Sequence, residues 1–294
     1  MTNNELLLFD RIEIIKSTLK GKEDLCYISF SGGKDSCVID KLIDIALPNN
    51  KILRVFINTG IEYNDIVNFV KEKQVNDKRF IIINSGVNIK KMLSEKGYPF
   101  KSKEHSLKIG QFQKGSNSPN ILKYKQGGEF GCPKSLLYQY NADFNIKLSS
   151  ACCTELKKKP IHKWQVENKK TITILGLKQG EGGQRANHSG CVVFDKNHNI
   201  KKFKPLNPMS DEREQWFIKK YNIKLCKLYY PPFNFKRTGC KGCPYALDLQ
   251  KQLEAMELLL PNERKQCEFI WKVVYQEYRR LNYRLKNKEQ GRLF

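Results

Sequence analysis

Nowhere in the 294 residues is there a run near the roughly 18 consecutive apolar residues that a membrane-spanning helix needs, so no membrane partner is expected. A cleavable-signal pattern is missing too: Glu5, Asp10 and Glu13 interrupt the leucines of residues 1–20, which read as an amphipathic helix of a cytoplasmic protein. No internal repeat or low-complexity tract is visible. Acidic side chains are scarce, 30 against 53 basic ones, and the formal net charge is +23. That surplus favours a polyanionic partner, nucleic acid first, although a lysine-rich proteome would produce it without one. Cysteine is plentiful. Ten cysteines in a cytosolic chain argue for metal or redox chemistry rather than a disulfide framework.

The length suits one large α/β domain, or a core domain with an appended module, and 40% apolar residues is ample for a core. Apolar, β-prone runs at 25–30, 51–57, 80–84 and 171–177 read as strands, and 191–194 with the stretch around Phe203 as a hairpin or edge strands. Helical patterns fall at 38–46, 64–73, 89–96 and 211–220, the last with Trp216 and Phe217 on its apolar side. Strands alternating with helices imply a mostly parallel, Rossmann-like sheet with helices on both faces, and ligands beyond the carboxyl ends of the strands. From 97 to 150 the pattern breaks down, and residues 96–134 hold eight lysines against two glutamates. Tyr98, Phe100, Phe112, Tyr124 and Phe130 are interleaved there. Such a segment suits a single-stranded nucleic-acid groove, or a solvated loop pinned down by its aromatics. The expected domains are 1–230, an α/β nucleotide-binding domain with 97–150 as a basic irregular insertion, and 231–294, a cysteine knuckle followed by two basic helices.

The centre of the chain is Ser31-Gly32-Gly33-Lys34-Asp35-Ser36, between the first strand and its helix. Glycine permits positive φ and lets backbone approach an anion. Amides at a helix start favour phosphate, Ser31 and Ser36 add hydroxyls, and Lys34 adds charge. The spacing is not the Walker pattern. Asn58-Thr59-Gly60 and Glu62 follow the second strand at the same sheet edge. A second constellation is Cys152-Cys153 with a distant Cys240-Lys-Gly-Cys243-Pro. Four thiolates close either a [4Fe–4S] cluster or a zinc site, and spacing alone does not separate them. Cys26 and Cys37 read as buried core thiols. Cys132, Cys191, Cys226 and Cys267 have no assigned partner.

The six-residue loop resembles the pyrophosphate loop (PP-loop) of the N-type ATP pyrophosphatases, the superfamily that holds the phosphoadenosine phosphosulfate reductases. Cys152-Cys153-Thr-Glu-Leu-Lys157-Lys158-Lys159-Pro160 and Arg237-Thr-Gly-Cys240-Lys-Gly-Cys243-Pro are similar to the paired cluster motifs of adenylylsulfate reductases. The same layout occurs in the iron–sulfur component of DNA phosphorothioation systems. Gly176-Leu-Lys178-Gln-Gly-Glu181-Gly-Gly-Gln-Arg185 resembles the family's G-x-R-x-x-E-S-x-x-R segment, with Lys178 in place of the first arginine. Lys204-Pro-Leu206 and Leu228-Tyr229 continue the likeness.

The resemblance implies an adenine nucleotide alpha hydrolase-like fold with a C-terminal helical iron–sulfur module. It assigns Cys152, Cys153, Cys240 and Cys243 to [4Fe–4S], with zinc as the alternative. Ser31, Gly32, Gly33, Lys34, Asp35 and Ser36 would bind ATP phosphates, with Lys34 and Asp35 as catalytic residues and a hydrated Mg²⁺ beside Asp35. Asn58, Thr59, Gly60 and Glu62 would line the adenosine side, and Gly176, Lys178, Glu181 and Arg185 the phosphate or sulfate side. Two departures matter. The loop is intact where sulfonucleotide reductases carry a degraded one, and the tail 287–294 lacks the family's nucleophilic cysteine. Both point toward ATP-dependent adenylation coupled to sulfur transfer, with nucleic acid as acceptor and sulfide or a donor protein as sulfur source. The rival expectations are a sulfonucleotide reductase using an external or displaced thiol, and a nucleic-acid-binding module with a structural metal.

Overall fold

The computed structural model describes residues 1–179 and 190–287. By its internal contacts the chain divides into two compact units, one of residues 1–58, 62–84 and 160–238 and one of 59–61, 85–159 and 239–294. The boundary anticipated at 231 cuts across this partition: residues 97–150 lie in one unit with the C-terminal residues, not with the sheet. Among the described residues no helix is long and apolar enough to cross a membrane.

The first unit is built on a six-stranded sheet of order β3-β2-β1-β4-β6-β5. Its strands are β1 (Cys26–Ser29), β2 (Leu53–Asn58), β3 (Phe80–Asn84), β4 (Ile172–Ile174), β5 (Val192–Phe194) and β6 (Ile200–Phe203). All neighbours pair in parallel except β5, which runs antiparallel on β6 with an irregularity at Val193 and Phe194. The expected mostly parallel sheet with helices on both sides is borne out. Tyr27 pairs with Leu53 on one side and Thr173 on the other, so β1 is central and its ends are fixed by both neighbours. Helix α1 (Asn3–Leu19) begins with a capping box in which Thr2 and Glu5 satisfy each other's backbone amides. Helix α2 (Lys34–Ala46) follows β1, and α3 (Asn64–Asn76) follows β2. Burial of Val38, Ile39, Leu42 and Ile43 along α2 matches its helical apolar period.

Charge is buried beside that sheet. Arg54 on β2 has no solvent exposure, and its guanidinium reaches Asp40 Oδ1 at 2.8 Å and Asp44 Oδ1 at 2.6 Å. Lys73 Nζ, 3.2 Å from Asp40 Oδ2, and Arg79 Nη1, 2.8 Å from Asp44 Oδ1, complete the cluster. A buried cation needs such partners to remain charged.

The second unit is mainly helical: α4 (Ile89–Lys96), α5 (Lys103–Phe112), α6 (Pro119–Lys125), then α9 (Leu249–Leu259), α10 (Pro261–Ile270) and α11 (Lys272–Arg280). Helices α7 (Lys159–Glu167) and α8 (Asp211–Lys220) fall between them in sequence, α8 within the first unit and α7 within it from Pro160. Residues 97–150 are therefore more regular than their composition suggests. Phe100 and Tyr124 are buried, and Phe100 packs edge-on to Tyr278 at 4.6 Å. Phe112 packs on Tyr140 at 4.8 Å, leaving Phe130 as the exposed ring of the five singled out. Phe100, Phe112 and Tyr124 are thus packing anchors. His105 is held between Tyr124 Oη at 3.0 Å and Gln139 Oε1 at 2.7 Å, and burial pushes it down to about 4. Among the described residues three helices, not two, follow the knuckle, because the chain breaks at Pro261 and again at Trp271.

Replacing Arg54 by Ala leaves the carboxylates of Asp40 and Asp44 without their shared cation. Lys73 and Arg79 still pair with them, so the expected loss is about 1–3 kcal/mol of folding free energy, read from the urea midpoint.

Candidate functional site

The loop sits at the carboxyl end of β1, where the strand stops and α2 starts. Gly32 has φ +70, and a Cβ there would lie 2.7 Å from Ile66 Cγ2 on α3. Glycine is required at that position by both backbone and packing. Gly33 is the N-cap of α2. Its N–H donates to Ser31 Oγ at 3.2 Å, Ser31 donates to Ser36 Oγ at 3.2 Å, and Ser36 donates to the Gly33 carbonyl at 2.7 Å. The Lys34 N–H donates to Tyr229 Oη at 3.2 Å, and Tyr229 is itself 2.5 Å from Thr238 Oγ1. Two amides of the turn are thus occupied by hydroxyl oxygens, the acceptor type that a phosphate oxygen would replace.

Around the loop lies a charge cluster. Glu214 on α8 is fully buried, with Lys34 Nζ at 3.1 Å and Lys178 Nζ at 2.9 Å from its Oε2. Lys178 is also 3.2 Å from Asp35 Oδ1 and 2.5 Å from Asp211 Oδ1. Burial, then the neighbouring charge of Asp35, pushes Glu214 up to about 7. Burial alone would depress Lys178, but its three carboxylate neighbours hold it above the usual lysine range. Gly176 backs onto the same place: a Cβ there would meet Asp35 Cβ at 3.0 Å. Gly176, Lys178, Lys34 and Asp35 are therefore brought together. Glu181 and Arg185 lie outside the described residues.

Asn58, at the end of β2, donates from Nδ2 to Asn84 Oδ1 at 3.3 Å. Glu62 is buried in the first unit, and Thr59, also buried, falls in the second unit with Gly60, whose φ is +82. Sequence reading missed Glu214, Asp211 and the role of Tyr229 at the loop. A signal for Glu214 was present: it shares the buried face of α8 with Phe217 and Ile218, where a charged residue is out of place unless paired.

The four singled-out cysteines all belong to the second unit. Cys152 is held above the usual thiol range by its neighbour Cys153, by burial and by the charges of Cys243 and Cys240. Cys153 is lowered to about 6, by Cys152 and then by Lys103, Lys157 and Lys158 against the cost of burial. Burial and Cys240 push Cys243 up to about 12. A π-helical turn, Thr154–Lys158, follows the cysteine pair and re-aims the chain into α7.

The knuckle is braced from one side by aromatics. Trp271 Nε1 donates to the Lys241 carbonyl at 3.2 Å, Tyr275 Oη to the Gly242 carbonyl, and Tyr278 Oη to the Pro244 carbonyl at 2.9 Å. Gly242 has φ +59, and a Cβ would lie 2.7 Å from Cys267 Sγ. Four thiols able to influence one another, with lysines beside them, are the right donor chemistry for an iron–sulfur centre. Among the described residues, no group of three or more His, Cys, Asp or Glu side chains is arranged to hold a metal ion. Cys26 and Cys37 are buried, as expected of core thiols. Cys267 is buried and pushed up to about 12, which leaves it unsuited to nucleophilic attack as it stands.

A mostly parallel sheet with this glycine loop after its central strand is a Rossmann-like α/β architecture. Residues 125–246 match the family model of the phosphoadenosine phosphosulfate reductase domain. The matched span includes all four cysteines and Gly176 to Lys178, and it bears out the family resemblance there; the loop at 31–36 precedes it. Over 82 residues the chain is 33% identical to an uncharacterized protein of Methanocaldococcus jannaschii, covering 28% of this chain and 20% of that one. The chain thus matches about a fifth of that relative's length.

Among solved structures it is similar to phosphoadenylyl-sulfate reductase from Candida auris in a phosphate complex. The TM-score is 0.45, with 13% identity, over 82% of this chain and 96% of that one. It is also similar to the U34-tRNA thiolase NcsA from Methanococcus maripaludis with its [4Fe–4S] cluster (TM-score 0.39, 17% identity, 95% and 80% covered). A third is Candida glabrata FMN adenylyltransferase in complex with ATP (TM-score 0.45, 14% identity, 79% and 61% covered).

Two outcomes check this geometry. Glu214 has a folded pKa above its unfolded 4.5, so the fold holds a proton that unfolding releases between 4.5 and about 7. Its contribution is complete below that window and declines as pH rises through it. Glu214→Gln removes the decline, so the variant gains on wild type in urea midpoint from pH 5 to about 7.5. In the second unit, Tyr275→Phe leaves the Gly242 carbonyl without its donor, and thermal melting should show a loss of about 1–2 kcal/mol.

Proposed function

We propose that the chain is an AMP-forming enzyme that adenylates an oxygen of its acceptor and then lets sulfur displace AMP. The acceptor oxygen attacks the α-phosphorus of ATP and pyrophosphate leaves. Sulfide, free or released from a donor protein, then attacks the activated atom, and AMP departs with the oxygen. The observation that carries the reading is the intact loop: Gly32 in the left-handed region, Gly33 capping α2, and Lys34 on the first helical turn. Ser31, Gly32, Gly33 and Ser36 would cradle the departing pyrophosphate. Lys34 would balance charge growing on it, and Asp35 would orient the loop or a hydrated Mg²⁺. Asn58, Thr59, Gly60 and Glu62 are assigned to the adenosine side, and Gly176, Lys178, Glu181 and Arg185 to the phosphate side.

Lys34 and Lys178 cannot serve phosphate and Glu214 equally. Protonation of Glu214, with its raised pKa, would release Lys34 toward the nucleotide, while Lys178 keeps Asp35 and Asp211. Cys152, Cys153, Cys240 and Cys243 are proposed to hold a [4Fe–4S] centre, with zinc as the alternative. When bound, such a centre supplies one-electron chemistry or orders the knuckle. The net charge of +23 favours nucleic acid as the acceptor.

Anaerobically purified protein incubated with ATP, Mg²⁺ and DNA or RNA should release pyrophosphate and AMP in equal amounts. Lys34→Ala should lower that rate by about 10²–10³-fold. ADP as the product, or no turnover with any acceptor, would sink the proposal. The family match over residues 125–246 favours a second reading, a sulfonucleotide reductase. That reading requires an external thiol, and sulfite release from adenylylsulfate or its 3′-phosphorylated form with thioredoxin would support it.

A further inference from the structure

A cleft of about 820 Å³ opens in the second unit, lined by three cations, Arg264, Lys265 and Arg279, two carboxylates, Glu257 and Glu268, and the ring of Phe269. The reaction proposed above makes no use of it. One carboxylate, Glu268, is shared by the guanidinium groups of Arg264 and Arg279, with Arg279 Nη1 3.1 Å from Oε2. The arrangement fixes two planar cations side by side while cancelling one of their two charges. Among the described residues Arg264 Nε, out of solvent, has no acceptor, so Glu268 does not exhaust the donors of the pair. Lys265 adds a third cation and is exposed.

Phe269 stands one turn further along α10 with 62% of its surface in solvent. Lys90 Nζ lies 3.6 Å from the centroid of its ring. An exposed phenyl ring set among cations offers a stacking face beside phosphate-binding groups, the pairing that single-stranded nucleic acid requires. In residues 97–150, by contrast, most aromatics are buried or packed on one another, with Phe130 the exception.

We propose that this cleft docks single-stranded nucleic acid, with a backbone phosphate at Arg264, Lys265 and Arg279 and an unpaired base against Phe269. The proposal deepens the nucleic-acid acceptor reading and rests on it for its purpose, while the binding itself is independently measurable.

The test is anisotropy of a short fluorescent oligonucleotide, DNA and RNA, single-stranded and duplex, with the full chain. Lys265 and Phe269 are exposed, so Lys265→Ala and Phe269→Ala leave the fold intact, as an unchanged melting curve verifies. Phe269→Ala should weaken single-strand binding roughly tenfold, and Lys265→Ala should lower the slope of log K against log salt by about one. Inorganic phosphate and AMP should compete poorly. Wild-type binding in both variants, a preference for duplex, or AMP competing as well as the oligonucleotide overturns the proposal. Pyrophosphate release measured alongside separates the two ideas. Cleft-dependent binding without turnover removes the acceptor reading alone, and turnover with binding untouched by the substitutions removes the cleft alone.

Discussion

A carboxylate with no access to water must be surrounded by cations or take up a proton. Glu214 does part of each: Lys34 and Lys178 approach one of its oxygens at 3.1 and 2.9 Å, and burial with Asp35 nearby lifts it to about 7. Through that group, three separate stretches of chain become one electrostatic unit: the loop at the start of α2, the segment after β4, and α8. An anion arriving at the loop meets lysines that are already engaged, so its reception depends on the state of a carboxylate far away in sequence. The same cluster explains why lysine is workable at 178. A bidentate arginine fork is not needed to reach Asp35, Asp211 and Glu214, because a point charge satisfies all three.

The second unit obeys a different constraint. A four-residue knuckle with glycine in a left-handed conformation has few bonds of its own, and its carbonyls are met by three aromatic donors from the α10–α11 junction and α11. The stretch that reads as simply basic in sequence has two faces in consequence. One face carries Trp271, Tyr275 and Tyr278 inward onto the knuckle. Arg264 and Arg279 share a carboxylate at the cleft, next to an exposed ring. Basic composition and buried aromatics coexist because a helix separates them by angle.

Local periodicity made β1, β2, β3, α2, α4 and α8 legible from residues alone, and the strand–glycine–helix turn between β1 and α2 was legible with them. Glu214 was harder to see because a single glutamate in a helix is ordinary until its face is known to be buried. Tyr229 was visible only as a continuation of a motif; its hydroxyl meets the Lys34 amide across 195 positions. Residues 97–150 misled in another way. Lysine, glycine and serine suggested irregular chain, yet Phe100, Tyr124 and Ile109 bury enough apolar surface to order short helices.

What this sequence decided unaided is everything that depends on neighbours along the chain: the helical and strand periods, the glycines at 32 and 33 and the paired thiols. Tertiary structure alone decided which distant charges share a carboxylate, which aromatic rings face inward, and that both cysteine pairs fall in one compact unit. The division has a physical cause. Backbone preference and amphipathic period act over a few residues, whereas burial, and with it the strength of every charge interaction, is set by what the rest of the chain places around a side chain.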